Sequence, residues 1–278
     1  MPFARNHDCE LYFDTFGTLS DPTLLLVNGL GSQCLNYADA WCEKFVARGF
    51  HVIRFDNRDV GLSTHFTDTP VGERGEAYML SDMAQDAIAV LDANDIERAH
   101  VMGLSMGGMI VQTLAIEHPD RLLSMTSVMS DTSEPEYRSS SPEAWAHLTR
   151  PPATNRDEYV AGHIAGMRIW GSPAFADDDR WRADAEEAFD RCFDPAGTRR
   201  QFLAVEASPP RAELLRKVEL PVLVIHGDCD TLIGVEGGRR TAELIPGARL
   251  EVIEGMGHDY PPQMWDRWVA LVGDFALG

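Results

Sequence analysis

Lysine is almost missing from this chain. Lys44 and Lys217 are the only two, and Lys plus Arg total 24 against 44 Asp plus Glu. Phosphate recognition needs clustered cations, so a formal net charge of −20 speaks against nucleic acid and anionic membrane surfaces as partners. The adjacent arginine pairs, Arg199-Arg200 and Arg239-Arg240, sit among acidic neighbours. Cysteine is sparse too: Cys9, Cys34, Cys42, Cys192 and Cys229 are odd in number and lack CxxC spacing. That scatter argues against a disulfide or zinc framework and for buried thiols in a reducing compartment, so a cytoplasmic location is expected. Apolar runs stop at about five residues where a membrane span needs roughly 20, and stable membrane insertion is not expected. The opening stretch MPFARNHDCELYFD is charged and has no apolar h-region, which predicts a chain without a secretory signal.

What is present is an ordinary globular composition, with 44% hydrophobic and 24% charged residues in a chain of 278. Such a length buries roughly three quarters of its unfolded surface, so a full core needs no staples. Short apolar runs alternate with longer periodic stretches. Strands are predicted at 11–16, 23–27, 51–55, 99–103 and 122–129. Helices are predicted at 37–47, at 81–91 with Ser81 as N-cap, and at 106–117 before Pro119. The alternation resumes with strand 222–226, helix 236–245, strand 249–253 and helix 262–275. Strand–helix alternation implies an α/β fold, a mostly parallel sheet with helices on both faces. Residues 132–217 have another texture, with SSSPEA and RPPATN punctuation, the run Asp177-Asp178-Asp179 and Trp- and Phe-rich amphipathic pieces. They are expected to form a helical lid inserted into a core domain of 1–131 and 218–278.

The sharpest chemical signal is Gly103-Leu104-Ser105-Met106-Gly107 at a strand-to-helix junction. A serine there sits on a strained turn that lifts its hydroxyl off the sheet, and the turn is too tight for a Cβ two residues to either side. A Gly-rich turn with a capping serine would be the plain alternative. Met106, opening the helix, offers a backbone N–H near the positive helix end, suited to an oxyanion.

Serine needs a base to take its proton. Of nine histidines, His258 in Glu254-Gly255-Met256-Gly257-His258-Asp259 falls between the last strand and the last helix, at the sheet edge where open α/β folds place their sites. His226 is the rival, but it ends a buried strand and reads as a structural imidazole. The third member must hold the imidazole's tautomer. His226-Gly227-Asp228-Cys229-Asp230-Thr231 offers two carboxylates; Asp230 lies far enough round the turn to reach the histidine, and Asp228 is expected to cap the turn. Asp131 is a second position from which an acid could reach the ring. The order Ser105, Asp230, His258 is that of the α/β-hydrolase fold.

A second oxyanion donor should come from Asn28-Gly29-Leu30-Gly31-Ser32-Gln33, with Leu30 the expected N–H. A dinucleotide fingerprint would need glycine where Cys34 stands. His226, Asp228 and Asp230 alternate, but without a histidine cluster they make a weak metal set. No metal and no organic cofactor is expected. The charged loop after the strand at 51–55, Asp56-Asn57-Arg58-Asp59, is expected to brace the site through hydrogen bonds.

LLLVNGLGSQ, RFDNRDVGLSTH, HVMGLSMGGMIVQTLAIEHPDRL, PVLVIHGDCDTLI and IPGARLEVIEGMGHDYP together make the chain resemble lidded α/β-hydrolases over nearly its whole length. It is most similar to small bacterial carboxylesterases and lipase-like hydrolases, and is also similar to anthracycline methylesterases, cofactor-free haloperoxidases and proline iminopeptidases. The resemblance implies a nucleophile at Ser105, an acid at Asp230, a base at His258 and oxyanion donors at Leu30 and Met106. It implies hydrolysis of a small-molecule ester, with thioesterase, lactonase and C–C bond hydrolase chemistry as alternatives on the same triad. A ligand-binding protein on this fold is the non-enzymatic alternative. Two departures stand out: Asn28-Gly29 replaces the His-Gly of many relatives, and the first strand is expected to be short. Serine at 105 sets the chain apart from dehalogenases and epoxide hydrolases, which carry aspartate there. The lid aromatics Trp145, Trp170, Trp181, Phe175, Phe189 and Phe193 are expected to be mostly core, with some facing an uncharged or weakly polar substrate.

Overall fold

Near-continuous runs of buried residues in the middle strands cover both faces of one eight-stranded sheet. In the computed structural model, which describes residues 2–69, 71–72 and 75–278, the strands are β1 (Phe3–Asn6), β2 (Cys9–Phe16), β3 (Thr23–Val27), β4 (His51–Phe55), β5 (Ala99–Leu104), β6 (Leu122–Val128), β7 (Val222–Gly227) and β8 (Arg249–Ile253). Their order is β1-β2-β4-β3-β5-β6-β7-β8. β1 and β2 form an antiparallel hairpin, β2 pairs antiparallel with β4, and every later pairing is parallel. The helices are α1 (Asp39–Val46), α2 (Leu80–Ala93), α3 (Met106–Glu117), α4 (Pro142–Leu148), α5 (Arg156–Trp170), α6 (Asp178–Arg191), α7 (Pro195–Ala207), α8 (Ala212–Leu215), α9 (Val235–Leu244) and α10 (Trp265–Leu277).

Side chains alternate across a strand, and β3 divides accordingly. Leu24 and Leu26 join Trp41, Phe45 and Trp268 of α1 and α10 on one face. Leu25 and Val27 join Met83, Ile88, Ile110 and Leu114 of α2 and α3 on the other. Burial on both faces is what made these strands read as short continuous apolar runs. Between β6 and β7 the described residues hold helices and turns but no strand, and Val160, Ile164, Trp181 and Ala185 of α5 and α6 make a small separate core. Among the described residues, no helix is long and apolar enough to cross a membrane.

Three local expectations need correction. β1 lies ahead of the first strand read from sequence. It buries the small Ala4 and the polar Asn6, whose amide donates to Asp86 at 2.8 Å, and so shows no apolar alternation. With four residues it is short, yet the sheet keeps all eight strands. Ser81 does not cap α2. The helix begins one residue earlier, where the Asp82 carboxylate accepts from Met79 N at 2.8 Å, and the Ser81 hydroxyl donates to Glu117 at 2.6 Å. Asp228 does not cap the turn after β7; it accepts from Gly255 N at 2.7 Å and ties that turn to the one after β8.

Candidate active site

β5 delivers Ser105 at the start of α3 with φ 57° and ψ −119°, a left-handed conformation that a serine holds only where its surroundings impose it. Its N–H donates to Val128 O at 2.9 Å, and its carbonyl accepts from the Ser130 hydroxyl at 2.9 Å. A Cβ on Gly103 would collide with the Gly107 carbonyl, and one on Gly107 would collide with the Val27 carbonyl. Both glycines of the motif are therefore required by packing.

The turn after β7 presents Asp230, 7% exposed, with its two oxygens divided between tasks. Oδ1 accepts from Leu232 N and Ile233 N at 2.9 Å each, which fixes the loop. Oδ2 lies 2.6 Å from His258 Nδ1 and 3.5 Å from His226 Nε2. Burial alone would raise this carboxyl's pKa, but the imidazoles of His258 and His226 outweigh it and bring it down to about 2. His226 is fully buried, its Nε2 2.7 Å from Ile233 O, as expected of a structural ring. Asp131 turns its Oδ1 to Ser133 N at 2.7 Å, a local role.

His258 stands on a loop held from two sides. Tyr260 packs its ring 5.0 Å from Trp41, and its hydroxyl donates to Asn36 O. On the other side His258 N donates to Trp170 O at 2.6 Å. With Nδ1 turned to Asp230, the remaining ring nitrogen, Nε2, is the one left for a substrate or a serine hydroxyl.

Ser105, His258, Leu30 and Met106 all line one cavity of about 540 Å³. The loop carrying Leu30 is braced by Asn28, whose amide donates to Gln33 O at 3.0 Å and whose Oδ1 accepts from Asn36 at 3.2 Å. Gly31 N donates to Gln201 of α7 at 2.8 Å. Asparagine at 28 thus supports the loop by bridging across it. The loop after β4 braces it from beneath: Asp56 accepts from Cys34 N at 2.6 Å and from Arg191 at 2.7 Å, and Asn57 donates to Asn28 O at 3.0 Å.

Sequence reading missed much of the apolar wall, including Met109, Met129, Phe202, Leu232 and Ile233. Their spacing is that of ordinary core residues, and only the chain's path turns them toward the cavity. Of the large side chains between β6 and β7, Trp181 and Ile164 are core, while Trp145, Met167 and Trp170 line the cavity. Burial, together with the charges of Arg180 and Arg150, pushes the His163 imidazole on the wall down to about 4, so it is neutral at pH 7. A second cavity of about 760 Å³ adjoins the first, with Leu30, Trp145, Leu148, Phe202 and Glu206 common to both. Among the described residues, Asp59, His65 and Asp194 are the group close enough to share a metal ion, but Arg200 already bonds Asp59 at 2.7 Å and approaches Asp194 at 3.5 Å.

A family model described as the alpha/beta hydrolase fold matches residues 22–261. The chain belongs to the α/β-hydrolase fold family. This α/β hydrolase is similar to a rhodomycin D methylesterase of Streptomyces peucetius, at 29% identity covering 92% of this chain and 91% of that protein. It is also similar to a 3-oxoadipate enol-lactonase of Acinetobacter baylyi, at 29% identity covering 89% of this chain and 86% of that one. A crystal structure of a hydrolase from Pseudomonas aeruginosa superposes with a TM-score of 0.78 at 27% identity, covering 100% of this chain and 98% of that chain.

Proposed function

We propose that this α/β hydrolase cleaves carboxylic esters through an acyl-enzyme intermediate. Ser105 attacks the ester carbonyl while His258 Nε2 takes its proton, and Asp230 stabilises the imidazolium. The N–H groups of Leu30 and Met106 hold the oxyanion, each such donor being worth about 3 kcal/mol in related chemistry. His258 then protonates the departing alcohol and activates water to release the acid. The observation carrying this reading is the 2.6 Å contact of His258 Nδ1 with buried Asp230, at a cavity that Ser105 also lines. The methylesterase named for the Streptomyces relative supports ester cleavage.

The helical insertion, 132–217, acts as a lid over a core of 1–131 and 218–278. Its Trp145 and Met167, with Met109, Met129 and Phe202, make a wall suited to an uncharged or weakly polar substrate. Lactones are the second reading, favoured by the enol-lactonase relative. Three of the five free thiols, Cys9, Cys34 and Cys42, are buried, which fits a reducing, cytoplasmic setting. A panel of p-nitrophenyl esters from acetate to dodecanoate, with matched lactones and thioesters, tests the reading. Hydrolysis of uncharged esters is expected; preference for charged acyl groups, or no turnover of any of them, would overturn it.

A further inference from the structure

Four consecutive residues of the insertion, 169–172, hold both loops that carry the acid and the base. On the Asp230 loop, the Thr231 hydroxyl donates to Ile169 O at 2.8 Å. On the His258 loop, His258 N donates to Trp170 O at 2.6 Å, and Gly257 N donates to the Ser172 hydroxyl oxygen at 2.9 Å. Ser172 in turn gives both its N–H, at 2.9 Å, and its hydroxyl proton to Asp259 Oδ1. A Cβ on Gly257 would collide with Trp170 O and with Gly171, so the two strands of chain are in direct backbone contact. Ser172 is fully buried and Asp259 is 8% exposed.

A general base must stay within a few tenths of an ångström of its productive position, and a side chain on a loop has that precision only if the loop is held from outside. Here one set of holding groups, Trp170 and Ser172, belongs to the insertion, while Trp41 and Asn36 hold the loop from the other side through Tyr260. We propose that Ser172 and Asp259 are positioning residues for the reaction, clasping the His258 loop to the end of α5 so that the ring keeps its register with Asp230 and Ser105. The hydrogen bonds of Asp259 run to Ser172, although it also lines the cavity. The clasp makes the insertion part of the catalytic alignment as well as the roof of the cavity. The proposal rests on the ester-hydrolase reading above.

The test is Ser172→Ala, with Asp259→Ala and Asp259→Asn beside it. Active-site titration with a fluorophosphonate counts competent sites, so turnover can be expressed per site. A residue that only stabilises the fold lowers the count and leaves turnover per site alone. The expected result for Ser172→Ala and Asp259→Ala is a 10- to 100-fold fall in kcat per site with KM changed less than threefold, an estimate in line with a small misplacement of a catalytic group. Asp259→Asn keeps an acceptor at Oδ1 and is expected to recover most of the rate. A readout independent of turnover is the low-field proton resonance of His258 Nδ1–H, assigned by its loss in His258→Gln; it should shift or broaden in Ser172→Ala. Where Ser172→Ala fails to fold, Thr231→Val cuts the tie on the Asp230 side and should lower kcat per site about 3- to 10-fold. Per-site turnover within twofold of wild type in both alanine variants, with an unchanged His258 resonance, overturns the clasp. A wild-type protein that hydrolyses no ester and takes no fluorophosphonate overturns the function instead, leaving the resonance to decide the clasp.

Discussion

Asp230 does two jobs with one carboxylate, and the jobs separate under mutation. Its Oδ1 accepts two backbone N–H groups and its Oδ2 faces two imidazoles. Asp230→Asn keeps the first and ruins the second, because an amide NH₂ facing His258 favours the wrong tautomer. A fall in kcat of about 10⁴ with a folded protein is expected, by analogy with such substitutions in other triads, and steady-state kinetics on p-nitrophenyl butyrate checks it. The same carboxyl makes a stability prediction. Its pKa lies at about 2 in the folded chain, below the ordinary carboxylate value. Protonation therefore costs the folded state more than the unfolded one, and the stabilisation, about 2 kcal/mol, is present above pH 4 and lost as pH falls toward 2. Chemical denaturation of wild type and Asp230→Asn from pH 5 to pH 2 should show a gap that narrows below pH 4. A gap unchanged at pH 2 would contradict the assignment.

At the scale of elements, the site is assembled by turns that the helices and strands aim. Beneath them, the loop after β4 is locked to α2 by Arg58, which meets Asp86 at 2.6 and 2.7 Å with both side chains buried. Asp86→Ala leaves that guanidinium buried and uncompensated. A loss of about 3–5 kcal/mol is expected from urea denaturation, since breaking one side of a buried pair costs far more than the pair contributes. Much of this level was legible before any coordinates. The runs at 23–27, 51–55 and 249–253 are short, largely apolar stretches bounded by turn residues and the helix at 106–117 stops before Pro119, and the observed elements coincide with them. β1 was hidden because its inward positions are alanine and asparagine, which carry no apolar signal. Ser81 misled because N-cap chemistry is local, whereas Leu80 N is met by Ser208 Oγ from the far end of α7, at 3.0 Å. The aspartates at 228 and 230 could be told apart as to reach, but not as to which one secures its own turn. That depends on how the turns after β7 and β8 face each other, a long-range property. The 169–172 clasp was invisible for the same reason: Ser172 and Gly257 are ordinary residues until folding brings them together.

At the scale of the whole molecule, an apolar core covers both faces of the sheet, and helices α4 to α8 lie between β6 and β7. The sequence carries a formal net charge of −20. The cavity that Ser105 lines has methionine, leucine and aromatic side chains on its wall, with Asp131, Arg138, Glu206 and Asp259 among them. Its location follows from topology: the turns after β5, β7 and β8 all lie at the carboxyl ends of parallel strands, where an open α/β sheet gathers its chemistry. Three segments distant in sequence thus reach one cavity, and everything claimed for the molecule depends on Ser105 being the atom that reacts there. The direct test is fluorophosphonate treatment of the intact protein followed by mass mapping of the adduct. One adduct is expected, on Ser105, absent from Ser105→Ala together with ester hydrolysis. An adduct on any other residue, or a Ser105→Ala protein that still hydrolyses p-nitrophenyl butyrate at the wild-type rate, would contradict it.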